Sequence, residues 1–301
     1  MGSLRSIAAP QSGIREKSLK ALEITTTIGC SVQCDYCPQD KITRAYLNRS
    51  RTVILSPKEF ETALDKLPRE VLIHFSGMAE PWLNPACTEM VLQAHRRGHE
   101  ISVFTTAVGM TPSDVHQIHA IPFRDFVVHL PDTEGHAKIP VDDLYLKTMD
   151  AIVSGDIRGL SYMTMGTLPK RVKKIVGRVR PTRMMSRAGN VPGKTGIQMP
   201  PRFGGEIRCK SCGDLFDHNV LLPNGDVILC CMDYGMQHVL GNLFASDYAS
   251  LFSGDEFRRL VKGLDDESME ILCRYCENAS LREELNRPVR KTFFGRIFGL
   301  R

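Results

Sequence analysis

Between residue 21 and about residue 187 the sequence alternates short β-branched segments with amphipathic, helix-like segments. This alternation is typical of repeated βα units that build a parallel sheet. Because six such units are too few for a closed eight-stranded barrel, we expect an α/β fold with an open, partial (β/α)6 barrel. Active sites in such folds lie at the C-terminal ends of the strands. The six predicted strands are Ala21–Thr26, Val71–Ser76, Ile101–Thr106, Asp125–Leu130, Leu160–Met165 and Thr182–Ser186.

Helices are predicted between the strands, over residues 56–67, 85–98 and 141–154. The first has a capping-box pattern, with Ser56 at the N-cap, Pro57 at the first helical position and Glu59 at the third. This pattern fixes where the helix begins.

A second unit follows the Gly- and Pro-rich stretch 188–203. Its clearest signal is a hairpin of strands 218–222 and 226–231, in which Asn224-Gly225 predicts a type I′ turn. Helices are predicted over 255–263 and 279–286. We therefore expect an N-terminal extension over 1–20, the partial barrel over 21–190, a small second domain over 191–286 and a tail over 287–301.

Three cysteines, Cys30, Cys34 and Cys37, follow directly after the first predicted strand. Three thiolates from one loop can each bind one iron of a cubane cluster and leave the fourth iron without a protein ligand. An iron without a protein ligand indicates a catalytic role for the cluster rather than a purely structural one. A zinc knuckle is the alternative, but it requires a fourth ligand, and no His follows at knuckle spacing.

The CxxxCxxC spacing, with Tyr36 before the last cysteine, resembles the radical S-adenosylmethionine (SAM) superfamily. The resemblance implies that the open iron chelates the amino and carboxylate groups of SAM. It also implies that one electron from the reduced cluster splits the sulfonium into methionine and a 5′-deoxyadenosyl radical. Flavodoxin or ferredoxin is the expected type of external one-electron donor.

Further cofactor contacts are expected from the same resemblance. The segment after the second strand resembles the superfamily's Gly-Gly-Glu-Pro motif, which receives the SAM ammonium group, although Ala79 stands where glycine is usual. The third strand ends where contacts to the adenosyl group are expected. His129 ends the fourth strand, where a ribose contact is expected, and Arg187 is a candidate partner of the SAM carboxylate or a structural ion-pair residue. The cofactor-binding candidates are Tyr36, Gly77, Met78, Glu80, Thr105 and Arg187.

A second cysteine group lies in the last third of the chain. Cys212, Gly225 and Cys230 fit the pattern C-x12-G-x4-C, and Cys273 and Cys276 follow. Four thiolates from a hairpin and a later loop can bind a [4Fe-4S] cluster, or a structural zinc ion. The group resembles the twitch domain, the shortened form of the SPASM domain, and this implies one auxiliary [4Fe-4S] cluster. Either Cys209 or Cys212 is the first ligand, and we favour Cys212.

Two further cysteines have open roles. Cys231 adjoins a predicted ligand; near a substrate radical its thiol could donate a hydrogen atom, but we favour an orientation toward the core, because neighbouring strand residues point to opposite faces. Cys87, on a predicted helix, fits a small buried apolar residue.

Composition narrows the functional class. The chain is 42% hydrophobic and 24% charged, and it has no apolar run of the roughly 18 residues that a membrane span requires. Its net charge of +5 includes no basic block in the main body that suggests nucleic acid. Because the N-terminus lacks a signal-peptide pattern, we expect a cytoplasmic protein with reduced thiols. The basic, Phe-rich tail is expected to pack on the barrel or to contact a membrane or partner.

The sequence therefore predicts a radical SAM oxidoreductase or epimerase. The short connection between the two domains favours hydrogen abstraction from a small polyol, sugar or glycoside. The alternatives are a maturase that modifies a ribosomal peptide and a zinc-stabilised binding module without activity.

Overall fold

The computed structural model describes residues 20–191, 197–211 and 216–286. Five parallel strands form one side of its eight-stranded main sheet, and helices connect each of these strands to the next. The strands are β1 (Ala21–Ile24), β2 (Leu72–Phe75), β3 (Ile101–Thr105), β4 (Asp125–Leu130) and β5 (Leu160–Thr164). The helices are α1 (Gln39–Leu47), α2 (Pro57–Leu64), α3 (Cys87–Arg96), α4 (Pro112–Ile118), α5 (Asp143–Ser154) and α6 (Lys170–Val176). The predicted α/β class with a parallel core is confirmed.

Helix α2 begins as its sequence predicts. The Ser56 hydroxyl accepts a hydrogen bond from the Glu59 amide at 3.2 Å, and the Glu59 carboxylate accepts one from the Ser56 amide at 3.0 Å. These reciprocal bonds satisfy two amides that the first helical turn leaves without partners. The start of α2 is therefore fixed by contacts within its first turn.

The prediction of a sixth parallel strand over residues 182–186 is wrong. The Thr182 amide bonds the end of β5, at 2.7 Å from the Thr164 carbonyl, but no strand follows. The Ser186 carbonyl instead accepts a hydrogen bond from the Val191 amide at 2.9 Å. Arg187 and Ala188 both have a φ of +53°. These left-handed residues turn the chain, so the extended run ends here.

The second unit extends the main sheet. Strand β7 (His218–Leu221) lies parallel to β1, and β8 (Asp226–Ile228) and β9 (Val239–Asn242) follow it antiparallel. Within the described residues the strand order is β5-β4-β3-β2-β1-β7-β8-β9. The sheet is therefore continuous across the domain boundary expected at residue 190.

A small second sheet pairs β6 (Ile207–Cys209) with β10 (Ala279–Leu281), antiparallel. Helix α7 (Asp255–Asp265) confirms the helix predicted from residue 255. The helix predicted from Ala279 begins only with α8 (Arg282–Asn286), because the first three residues pair as β10. In the described part of the chain, 3-10 helices span Pro81–Leu83, Tyr248–Phe252 and Leu272–Tyr275.

The turn between β7 and β8 also differs from the prediction. Only Gly225 has a positive φ, of +86°, whereas a type I′ turn requires one at Asn224 as well. The Gly225 amide donates to the Leu222 carbonyl at 2.9 Å, and the Leu222 amide donates to the Asp226 carbonyl at 2.9 Å. Pro223 has its φ fixed near −65° and favours the second position of a type I turn. The loop therefore has three residues and ends at a left-handed glycine.

The two faces of the parallel sheet differ in chemistry. Side chains of β1 and β2 on one face, including Ile24 and Phe75, are fully buried in the apolar core. The alternate positions of the same strands carry Glu23 and His74. These polar residues line the cavity described below.

No helix of the described residues is long and apolar enough to cross a membrane. The tail 287–301 and all but Lys20 of the expected N-terminal extension lie outside the described residues.

Candidate active site

A cavity of about 340 Å³ lies at the C-terminal ends of the parallel strands. It collects every residue predicted for the first cluster and for SAM, from positions far apart in the chain. Those that line it are Cys30, Cys34, Tyr36, Cys37, Gly77, Met78, Glu80, Thr105 and Arg187, together with Cys231 and His129. These side chains therefore meet at the C-terminal ends of the strands, where the sequence analysis expects the site.

The three cysteines of the first loop are half-buried. Burial raises the pKa of the Cys34 thiol to about 11, and the neighbouring thiols Cys37 and Cys30 act in the same direction. A thiolate in this environment requires a positively charged partner, and cluster iron supplies one. The donor set therefore fits an iron-sulfur cluster.

Within the described ranges, no three His, Cys, Asp or Glu side chains are arranged to hold a single metal ion. A cubane cluster has a different requirement, because each thiolate binds a different iron.

Gln39 links the cysteine loop to the segment after β2, and the sequence analysis missed it. Its side-chain oxygen accepts a hydrogen bond from the Cys30 amide at 3.2 Å, and its amide nitrogen donates to the Met78 carbonyl. A buried side-chain amide can satisfy a donor and an acceptor at once. Gln39 thereby fixes the distance between the loop and the Gly77–Pro81 segment. Its position two residues after the last cysteine was the available signal.

Gly77 allows the segment after β2 to cross directly over β1. Its φ is +66°, and a Cβ at this position would lie 2.3 Å from Thr25 Oγ1 and 2.9 Å from the Thr25 Cα. The Met78 amide then donates to Thr25 Oγ1 at 3.1 Å. Only glycine accommodates both the left-handed backbone and this close approach.

Glu80 is buried and its carboxylate accepts four hydrogen bonds. The donors are the Trp82 amide at 3.2 Å, the Thr105 hydroxyl at 2.5 Å, and the amide and hydroxyl of Thr106 at 2.6 and 2.7 Å. These contacts join the segment to the end of β3, and they engage the Thr105 hydroxyl. Because both carboxylate oxygens are occupied, Glu80 has a positioning role here, and its contact with the SAM ammonium stays a prediction.

Arg187 carries the cavity's guanidinium. It lies near Tyr234, Cys231 and Cys37, and no hydrogen bond or ion pair joins its guanidinium to another described residue. The Ala188 amide beside it donates to the Glu277 carboxylate at 2.9 Å, which holds the strained turn. A half-buried guanidinium without a partner is stabilised by a bidentate carboxylate. This fits the predicted contact with the SAM carboxylate.

A second cavity of about 120 Å³ is lined by Cys209, Cys230, Cys231, Cys273 and Cys276. Three of these are predicted ligands of the auxiliary cluster, so the tertiary structure brings together cysteines separated by more than forty residues. Cys212 lies outside the described residues. Burial raises the pKa of the Cys276 thiol to about 11 and that of Cys230 well above its usual value. The cysteines around this cavity fit a second cluster.

Two buried side chains hold the loop of Cys273 in place, and neither was predicted. His238 accepts the Leu272 amide on Nε2 at 3.1 Å and contacts Glu256 through Nδ1 at 2.6 Å. Arg274 donates to the carbonyls of Phe203, Gly205 and Gly263 at 2.8 to 3.0 Å.

The remaining cysteines differ in their surroundings. Cys231 packs beside the core cluster of Ile28 and Val220, yet it also lines both cavities. It is therefore exposed to the cavities, in contrast to the orientation favoured from strand alternation. Cys87 is fully buried in the core, as expected for a small apolar side chain.

Comparison with known proteins gives one matching domain and several structures with a similar fold. Residues 212–277 match the SPASM family, an iron-sulfur cluster-binding domain. No match was found among curated proteins.

Several solved structures are similar to the chain. BtrN in complex with AdoMet and 2-DOIA is 15% identical, with a TM-score of 0.57 over 88% of this chain and 94% of that chain. Native anSMEcpe with bound AdoMet is 12% identical, with a TM-score of 0.52 over 85% of this chain and 86% of that chain. Streptococcus suis SuiB bound to precursor peptide SuiA is 13% identical, with a TM-score of 0.54 over 85% of this chain and 69% of that chain.

The chain therefore has the fold of these solved structures and, over residues 212–277, matches an iron-sulfur cluster-binding domain of the SPASM family.

Proposed function

We propose that the chain binds SAM in the larger cavity and uses it to abstract hydrogen from a small polyol, sugar or glycoside. The observation that carries the proposal is the convergence of Cys30, Cys34 and Cys37 with the half-buried guanidinium of Arg187, which no side chain of the described residues pairs. One side of the cavity offers thiolates for the cluster, and the other offers a cation for the SAM carboxylate. When bound, cluster and SAM together supply the 5′-deoxyadenosyl radical.

The chain's own residues define how the cofactor would be held. Gln39 fixes the cysteine loop against the Met78 carbonyl, and Glu80 fixes the same segment against the end of β3. Tyr36 is buried beside Cys34 and closes the cavity on the loop side. Because the surroundings are fixed before SAM binds, little ordering is left to oppose binding.

The second cavity supports a redox outcome. Cys230, Cys273 and Cys276, with Cys209 or Cys212, would hold an auxiliary cluster able to take up an electron from an oxidised substrate. This supports dehydrogenation. Epimerisation would instead require a hydrogen donor, for which Cys231 is the candidate because its thiol lines the larger cavity.

Peptide modification is the second candidate, since the chain resembles SuiB, which was solved with the precursor peptide SuiA. The similarity to BtrN, solved with AdoMet and 2-DOIA, supports the proposal of a small-molecule substrate. The two are separated by incubating the reduced enzyme with deuterated sugars or polyols and with candidate peptides. Transfer of deuterium into 5′-deoxyadenosine identifies the substrate class.

The proposal fails if anaerobically purified protein contains zinc without acid-labile sulfide. Such a result would favour a zinc-stabilised binding module. We expect iron and sulfide in amounts that match two cubane clusters.

A further inference from the structure

Glu23 and Cys231 line both cavities and form the wall between them. The Cys231 thiol lies beside the Glu23 carboxylate. A substrate that reacts next to SAM and lies close to the second cluster must contact this wall. Neither side chain is a predicted ligand of a cluster.

Two histidines line the larger cavity together with Glu23, and the strand register places one of them, His74, beside it. Glu23 on β1 is paired with His74 on β2, and His129 on β4 is paired with Met163 on β5. All four side chains line the larger cavity. Glu23 and His74 lie one residue before the ends of β1 and β2, whereas His129 lies near the end of β4. We assign His129 here to the substrate rather than to the ribose contact expected from the sequence.

Glu23 is held just beneath the predicted SAM segment. Its Oε2 accepts hydrogen bonds from the Ser76 hydroxyl at 2.9 Å and from the Gly77 amide at 3.3 Å. The carboxylate is therefore fixed in position by the same glycine that crosses over β1. A molecule below SAM would meet a negative charge there.

The two histidines are polar groups whose hydrogen bonding is incomplete. His74 Nε2 and His129 Nε2 are buried and have no hydrogen-bond partner in the described part of the chain. Burial lowers the pKa of both rings, that of His129 to about 4, so both are neutral at pH 7. An unsatisfied buried polar atom costs about 1–3 kcal/mol, so such atoms are rare outside functional sites.

The charges facing this region are few. The cavity lining contains the carboxylates Glu23 and Glu80 and the guanidinium of Arg187. Glu80 is occupied by its four donors, and the proposed function assigns Arg187 to the SAM carboxylate. Glu23 is then the charge that a substrate meets, with the neutral imidazole of His74 beside it and that of His129 in the same cavity.

We propose that Glu23, His74, His129 and Cys231 form the substrate subsite, and that it takes a polyhydroxylated compound without carboxylate or phosphate groups. This inference rests on the proposed function and specifies its substrate class. Hydroxyl and ammonium groups donate to the carboxylate, and hydroxyl groups can pair with neutral imidazole nitrogens in either direction. An anion would face Glu23 without a compensating cation.

The test uses the enzyme purified anaerobically with its clusters and with SAM bound. Isothermal titration calorimetry measures the binding of myo-inositol, glucosamine and glucuronate. We expect the first two to bind, and glucuronate to bind at least about tenfold more weakly, as expected for like charges in a partly buried site.

Two variants test whether the Glu23 carboxylate causes this difference in affinity. Glu23→Gln keeps an acceptor for Ser76 but removes the charge, so glucosamine affinity should fall by about tenfold or more and the discrimination against glucuronate should shrink. Glu100→Gln is the matched control, because Glu100 is exposed and pairs with Arg124 at 3.3 Å, outside both cavities.

A second pair of variants tests the histidines by stability as well as binding. His129→Phe should lower myo-inositol affinity without lowering the unfolding temperature, because the lost nitrogen has no partner. His99→Phe should lower the unfolding temperature, because His99 is buried and its Nδ1 bonds the Val71 carbonyl at 3.0 Å.

The inference is overturned if none of the three compounds binds, if glucuronate binds most tightly, or if Glu23→Gln and Glu100→Gln behave alike. The proposed function is tested separately, by SAM cleavage in the reduced wild-type enzyme. If the wild type cleaves SAM but the binding results differ from those expected, only the inference about the substrate subsite is refuted. If the wild type does not cleave SAM, the proposed function is refuted.

Discussion

Replacing Gly77 by Ala should destabilise the protein by about 2–5 kcal/mol. A left-handed backbone costs an L-residue about 1–2 kcal/mol. The added Cβ would lie 2.3 Å from Thr25 Oγ1 and 2.9 Å from the Thr25 amide nitrogen and Cα. Thr25 follows directly after β1, which is paired with β2 on one side and β7 on the other. The backbone cannot move away freely, and overpacking adds about 1–3 kcal/mol.

Gly98→Ala provides the matched control. Gly98 has a φ of +81°, but a Cβ there would have no atom within 4 Å. The unfolding free energy of this variant should therefore fall only by the backbone cost, about 1–2 kcal/mol. Urea unfolding of both variants under anaerobic conditions measures the difference. Equal destabilisation would refute the close approach of Gly77 to β1, and with it our reason for a glycine in the cofactor segment.

Three further predictions concern the clusters and the barrel interior. The triple change of the first-loop cysteines to Ala should abolish SAM cleavage but leave the auxiliary-cluster iron, measured by iron analysis and electron paramagnetic resonance; retained cleavage would contradict the assignment. Cys212→Ala should remove the auxiliary cluster signal and Cys209→Ala should leave it, whereas the reverse would make Cys209, which lines the second cavity, the ligand. Burial, with a smaller contribution from Arg187, lowers the pKa of His129 from 6.5 to about 4, so the unfolded chain binds more protons between these values and stability falls as pH falls. Between pH 7 and pH 5 the wild type should lose about 2 kcal/mol more unfolding free energy than His129→Phe, and equal losses would exclude a buried neutral ring.

Much of the local structure was determined by the sequence. Strands β1 to β5 fall within their predicted segments, because β-branched runs with apolar neighbours have few alternatives to a buried parallel sheet. The capping box at Ser56 formed as predicted, since its contacts lie within four residues. The cysteine loop could likewise be recognised from residues 30–37 alone.

Interactions between distant segments decided the features that were predicted wrongly. Ala279–Leu281 has a helix-compatible sequence but pairs with Ile207–Cys209, and the hydrogen bonds of that pairing outweigh local propensity. The run ending at Ser186 looked like a strand, yet its last carbonyl bonds Val191 and the chain turns. No local pattern encodes either partner.

The sequence by itself predicts the class of chemistry, because three thiols at CxxxCxxC spacing can be recognised within one loop. Only the tertiary structure decided what surrounds them. It placed β7 beside β1, which brings Cys231 from the second unit next to Glu23 on β1 and makes both a wall between two cysteine-lined cavities. The physical reason is that strand order and register are set by packing over the whole sheet, and these fix which side chains from distant positions meet.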